Sequence, residues 1–224
     1  GKKKQLFFER DMSPDKSKKL KKDIKENKKV VHEYLYDCDD VITRNFYMGQ
    51  TPKHEMSLMY IDGMTDLKTI QNDILKSLML FTRQFNLEYS VGNNFFDMVK
   101  EGLLTVGDLK ETDNFGEAIL GILSGDTVLF IDKVEKALVI STRGWEKRGV
   151  QEPSTEAVIR GSRDGFTETY RTNVALVRRR LKDPNLKVKT IKLGRHTRTD
   201  VGIMIIQGVA KPTIVEEVLK RLNT

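Results

Sequence analysis

From residue 143 to 168 the chain reads Arg-Gly-Trp-Glu-Lys-Arg-Gly-Val-Gln-Glu-Pro-Ser-Thr-Glu-Ala-Val-Ile-Arg-Gly-Ser-Arg-Asp-Gly-Phe-Thr-Glu. Within it Glu152 and Glu156 stand four apart, followed by Arg160 and Arg163 three apart. A guanidinium presents a planar fork of donors that matches a carboxylate or a phosphate. Two readings of that pattern stay open. The acids and arginines could close into a salt-bridge network that pins the loop, or the forks could stay open for a carboxylate, a phosphate or a neighbouring subunit. Gly161 and Gly165 bracket a turn dense in donors, where glycine lets the backbone fold tightly. Phe166 offers an apolar anchor beside Glu168. A helix expected over 167–181 then carries Asn173 and, in its last turn, Arg178, Arg179 and Arg180. Cations suit a helix C-terminus, yet three in a row exceed what dipole complementation needs. Phe166, Tyr170, Val174, Val177 and Leu181 are expected on one face, with Arg171 and Arg178 stacked on the outer side.

Other chemistry is missing. Neither a phosphate-cradling Gly-x-x-x-x-Gly-Lys-Ser/Thr loop nor a Gly-x-Gly-x-x-Gly turn occurs. His32, His54 and His196 are scattered and Cys38 is the only cysteine, which leaves no zinc-ligand spacing. Cys38 sits among Asp37, Asp39 and Asp40, neighbours that raise a thiol pKa and oppose nucleophilic catalysis. The expectation is a binding or assembly surface with no catalytic residue, metal or cofactor.

Bulk properties agree. With 224 residues, 38% of them apolar and 32% charged, the composition is globular. No apolar run approaches the ~18 residues of a membrane span. One cysteine fits a reducing compartment, cytoplasmic by default. The first residue is Gly1, not Met, so the expectation is either a processed tag or a cut piece, with parts of the native protein absent. Net charge is +7, and residues 143 to 198 hold fifteen Lys/Arg against six acids. This surplus of nine exceeds the whole-chain value, so the remainder is slightly acidic. A basic face of this kind attracts nucleic acid, anionic lipid or an acidic partner. Aromatics interleaved with the basic residues are sparse, which argues against a single-strand platform and makes nucleic acid a poor partner.

The elements that must position the stretch follow from periodicity. A tail is expected over 1–14, then an amphipathic helix over 15–37, strands over 41–46 and 56–61, and a helix capped by Asp66. A short helix over 113–123, a hairpin of 127–131 with 136–140, strands over 188–193 and 200–207, and a final helix over 212–222 complete the pattern. The class is α/β (mixed): two small subdomains, 15–90 and 113–224, each a mixed sheet packed with helices, joined by a linker over 91–112. Strand, strand, Gly, helix occurs twice, at 41–79 and 188–222, as a candidate internal repeat. Tyr60-Ile-Asp-Gly63 aligns with Ile205-Ile-Gln-Gly208, and Thr69-Ile70 with Thr213-Ile214. A cleft between two such subdomains is a common small-ligand site.

The run Glu152-Pro-x-x-Glu156-x-x-Ile-Arg-Gly-x-Arg163-x-Gly-Phe166-x-Glu168, with Asn173 and Arg178-Arg-Arg180, resembles the signature of the A subunit of spore nutrient-germinant receptors. Leu123-Ser-Gly-Asp-Thr127 and the strand with Asp200-Val-Gly202 are similar to that family too, and the likeness covers residues 30–222. A stage V sporulation protein is a sibling that shares the motif. Ser162 stands where the family often has Pro, which loosens the turn. The resemblance implies an N-terminal hydrophilic region of a membrane protein, facing the cytoplasm or spore core and cut before the first span. It implies partnership with a membrane-embedded B subunit and a lipoprotein C subunit. It also implies A-subunit oligomers that form an ion channel, and signal transduction from nutrient sensing to ion release and germination. The arginine-rich stretch then belongs to subunit contacts. A nutrient in the inter-subdomain cleft is the alternative.

Overall fold

A computed structural model describes residues 12–49, 52–84, 93–144 and 166–222. Asp23 caps the first helix, α1 (Ile24–Tyr34), by accepting from the Lys25 amide. The helix is shorter than the periodicity predicts because Lys19 bridges to Asn114 before it. Strands β1 (Val41–Met48) and β2 (His54–Ile61) form an antiparallel hairpin. A π-helical turn, Thr69–Leu75, runs into α2 (Lys76–Gln84). Its entry is held by Asp66, whose carboxylate accepts from the Lys68 amide and the Thr69 hydroxyl.

Next come α3 (Asn93–Leu103), β3 (Leu109–Thr112), α4 (Phe115–Leu123), β4 (Thr127–Ile131) and β5 (Ala137–Ile140). Beyond 166 lie α5 (Tyr170–Arg180), β6 (Leu186–Leu193), β7 (Thr199–Ile206) and α6 (Pro212–Leu222). No helix among the described residues is long and apolar enough to cross a membrane.

The mixed α/β class holds, with a five-stranded sheet ordered β1-β2-β4-β5-β3 and a two-stranded sheet β6-β7. All ladders between these strands are antiparallel. Strand pairing does not divide at 91–112: β2 pairs with β4 across it, and β3 from that stretch pairs with β5. The physical reason lies in β2. Met59 and Ile61 pack in one core with Ile24, Val31, Phe115 and Ile119, while Met56, Leu58 and Tyr60 pack in the other with Ile70, Ile74, Phe95 and Phe96. A strand apolar on both faces must lie inside a sheet between two helix layers, and β4, buried along its whole length, supplies the neighbour.

The repeat is real at the level of local geometry. In each copy a hairpin ends in a glycine at φ +83°, Gly63 and Gly208. In each, the two following amides donate to the last strand carbonyl: Met64 and Thr65 to Ile61, Val209 and Ala210 to Ile206. The left-handed backbone there is what glycine permits at low cost.

Candidate functional site

Residues 37–40, Asp-Cys-Asp-Asp, leave α1 and lie against the start of β6. Asp37 takes a left-handed φ of 51°, which turns the chain sharply after the helix. The Val188 amide then donates to the Asp37 carbonyl and the Asp39 amide to the Val188 carbonyl, a short parallel stitch between the two sheets. The Asp39 carboxylate adds a bond from the Thr190 amide at 2.7 Å.

Arg178 secures this junction. Its side chain is 0% exposed. Nε and Nη2 donate to the two Asp40 carboxylate oxygens at 2.8 and 2.9 Å, and Nη1 donates to the Leu186 carbonyl at 2.8 Å. The fork is thereby filled from within the molecule. Lys187 is buried beside it, with Nζ 3.8 Å from the Tyr36 ring centre and donating to the Tyr34 carbonyl at 3.2 Å. Burial pulls the Lys187 pKa below the ordinary lysine value; the Cys38 sulfur opposes this and the Arg178 charge adds to it. Burial likewise pushes the Cys38 thiol up, against the pull of Arg178 and Lys187. Cys38 is an inert core thiol that donates to the Leu186 carbonyl.

The expected outer position of Arg178 is therefore corrected. On α5 the buried residues are Val174, Ala175 and Arg178, while Phe166 is 76% exposed and Leu181 is also exposed. Seven residues make nearly two helical turns, so Arg171 and Arg178 do share a side. That side faces the junction, with Arg171 at its open end and Arg178 at its closed end. Arg171 pairs with Asp62 at 3.1 Å.

Asn173 is an internal clamp: its side chain accepts from the Thr167 amide and donates to the Thr167 carbonyl, both at 2.7 Å, fixing the entry to α5. Glu168 and Arg180 are exposed and Arg179 is half-buried. Glu152, Glu156, Arg160, Gly161, Arg163 and Gly165 lie outside the described residues. The residues flanking them meet at one corner. Arg143 pairs through both carboxylate oxygens with Asp126 at 2.9 and 3.1 Å, and the Gly144 amide donates to the Met64 carbonyl. On the other side, the Arg171 carbonyl oxygen lies 2.9 Å from where a Cβ on Gly63 would stand.

Between the five-stranded sheet and the β6–β7 hairpin lies a cleft of about 300 Å³, lined by Asp39, Asp62, Tyr170, Arg171, Lys192 and Asp200 among others. The Tyr170 hydroxyl and the Thr190 hydroxyl share a hydrogen bond of 2.8 Å across it. The Tyr170 ring rests on Gly202, where any Cβ would collide with it. The partnership of Asp39, Asp40 and Lys187 at this junction is set by the tertiary fold, since nothing local in the sequence pairs residues 39 and 40 with 178 to 190. The one available signal was a triple aspartate set around a cysteine at a helix end.

The model of the family described as Bacillus/Clostridium GerA spore germination protein matches residues 29–224. The chain belongs to the GerA family. Among similar GerA relatives, spore germination protein KA of Bacillus subtilis (strain 168) is 34% identical over 208 residues, covering 92% of this chain and 36% of that protein. The membrane protein YfkQ of the same organism, whose name calls it uncharacterized, is 30% identical over 98% of this chain and 41% of its own length. This chain thus spans well under half of each. Among solved structures, the N-terminal domain of the A subunit of the Bacillus megaterium spore germinant receptor GerK3 matches with a TM-score of 0.73 and 30% identity, over 92% of this chain and 73% of that one. This GerA chain shares the fold of that domain.

Proposed function

We propose that this chain is the N-terminal region of a germinant-receptor A subunit, acting as a non-enzymatic signalling and assembly module in nutrient-triggered germination. The single observation that carries the reading is the likeness to the GerK3 A-subunit domain over 92% of the chain. In this proposal the module faces the cytoplasm or spore core, and the full-length protein is anchored in the spore inner membrane. It works with B and C subunits and further A subunits to couple nutrient sensing to ion release. The outer faces of Arg179 and Arg180, with Glu168, Phe166 and the 152–165 signature, make the contacts. Arg178 and Asn173 hold that surface in place from inside. The charge test belongs at Arg179 and Arg180, because reversal at Arg178 would bury an unpaired carboxylate against Asp40. Arg179→Glu with Arg180→Glu is expected to slow nutrient-triggered germination at unchanged receptor level. Normal germination and assembly in that variant would overturn the reading.

A second reading, a small-ligand sensor, is favoured by the cleft of about 300 Å³ with fixed charges of both signs on its walls. Millimolar amino acids or sugars that bind there would raise the melting temperature of the 224-residue chain. No shift across such a set removes this reading.

A further inference from the structure

The two copies of the repeat share a local plan and differ in what covers them. In the first, Ile70, Ile74 and Leu78 are buried in the core with Phe95 and Phe96. On α6, which has no buried residue, Val215, Leu219 and Leu222 are half-buried, while Ile214 and Val218, the counterparts of Ile70 and Ile74, are exposed. Val209, beside the open corner at Gly208, is 77% exposed. Lys211 lies three residues before Ile214 and Arg221 three after Val218, so both cations share the face of those two side chains. Glu216 and Lys220 fall on the opposite face. Glu217 pairs with Arg221 at 2.8 Å, an exposed pair that holds little energy. The outward strip of this helix is thus aliphatic, with a cation at each end.

Positive charge is concentrated on the same unit. Between Arg179 and Leu222, leaving aside the buried Lys187, ten Lys/Arg stand against four acids, a surplus of six beside the +7 of the whole chain. Lys189, Lys192, Arg195 and Arg198 along the β6–β7 hairpin are exposed, as are Arg180 and Lys182. Aliphatic side chains interleaved with cations fit an anionic bilayer surface, where the former enter the headgroup boundary and the latter meet phosphates. A nucleic-acid backbone offers the charge without an apolar layer to receive Ile214 and Val218. In the reading above, the full-length protein is anchored in a membrane. The solved relative is an N-terminal domain, and this chain matches 36% and 41% of the lengths of KA and YfkQ. In that reading the anchor follows α6 and holds this helix close to lipid.

We propose that α6 lies along an anionic lipid surface, with Val209, Ile214 and Val218 entering the headgroup boundary and Lys211, Arg221 and the hairpin cations meeting lipid phosphates. The contact rests on the membrane anchorage in that reading and goes beyond it by naming the surface and the lipid class. Flotation of the 224-residue chain with vesicles tests it. Phosphatidylcholine vesicles holding about 30 mol% phosphatidylglycerol should carry the chain, and vesicles of phosphatidylcholine alone should carry little. Binding should fall steeply as salt rises from about 0.05 to about 0.5 M. Ile214→Ser with Val218→Ser changes no charge and should weaken binding about tenfold. Lys211→Ser with Arg221→Ser should weaken it about 20-fold. As a control, Lys25→Ser with Lys29→Ser removes two exposed cations from α1 and should stay within about twofold of wild type. All these positions are exposed, and unchanged far-UV circular dichroism and melting verify folding. Because Cys38 is buried, an environment-sensitive thiol dye on the Val209→Cys variant labels that site and should shift to the blue on binding. Absence of binding to the anionic vesicles, wild-type binding by the Ile214/Val218 variant, an equal loss in the α1 control, or binding without a dye shift overturns the contact. So does tighter binding to a DNA duplex that ignores Ile214 and Val218. None of these outcomes bears on the germination test at Arg179 and Arg180. A germination defect there without vesicle binding removes the lipid contact alone.

Discussion

Arg178 and Asp40 form an ion pair that neither can leave without stranding the other. Both are desolvated, and a buried charge without its partner is far costlier than the pair is stabilising. Asp40→Ala is expected to lower stability by about 3–5 kcal/mol, read as a drop in the urea midpoint at unchanged slope. Replacing Asp40 and Arg178 together by apolar residues of similar volume should cost less than Asp40→Ala alone. Cys38 reports on the same spot through pH. Its thiol pKa is raised on folding, so the unfolded thiol loses its proton first, near ~8.5. Stability should therefore fall on this account as pH rises above that value. Lys187, whose pKa is lowered, runs the other way: the unfolded state keeps its proton up to ~10.4, so stability rises with pH through that window. The Cys38→Ala variant should show a smaller alkaline loss of stability than wild type, measured by urea unfolding between about pH 8 and 10.

Among the elements, the two hairpin–glycine–helix units form a natural internal control. Gly63 and Gly208 share φ +83°, so an alanine at either pays the left-handed backbone cost of about 1 kcal/mol. At Gly63 the new Cβ also meets the Arg171 carbonyl at 2.9 Å, a backbone atom that cannot step aside cheaply, while at Gly208 it meets open space. Gly63→Ala should then destabilise by about 1–3 kcal/mol more than Gly208→Ala, measured by thermal melting of both variants. Equal losses would show that the α5 contact on Gly63 does not hold in solution. Element identity was legible where the pattern was regular: β1, β2, β4, β5, β6, β7 and α6 follow their apolar spacing. The helix α3 occupies a stretch that reads as a linker, because scattered Gly and Asn around it weaken a helical spacing whose Phe95, Phe96, Val99 and Leu103 are all buried.

Across the whole molecule, the β6–β7 hairpin shares no strand ladder with the larger sheet among the described residues and is held chiefly by polar contacts to residues 34–40 and to α5, among them the 37–40 stitch, the Arg178 fork and the Tyr170–Thr190 bond. The five-stranded sheet is sandwiched between two apolar cores instead. Regions with few buried apolar contacts open at lower free energy than the global transition. Native-state hydrogen exchange should accordingly find β7 amides exchanging well before those of β2 and β4. Asp40→Ala should accelerate β6 and β7 exchange while leaving β4 protected to the level its lower global stability allows.

The amino-acid sequence by itself determined the α/β class, most element positions, the repeated hairpin–glycine–helix unit and, through its signature, the family. Those properties are local: periodicity, turn chemistry and motif spacing are written in neighbouring residues. Tertiary structure alone decided which strands share a sheet, because β2 finds β4 across some seventy residues of chain, and burial on both faces rather than sequence order selects the partner. It also decided the role of Arg178. A guanidinium in the last turn of a helix looks like any other cation until a carboxylate 138 residues away is brought to 2.8 Å and both lose their water.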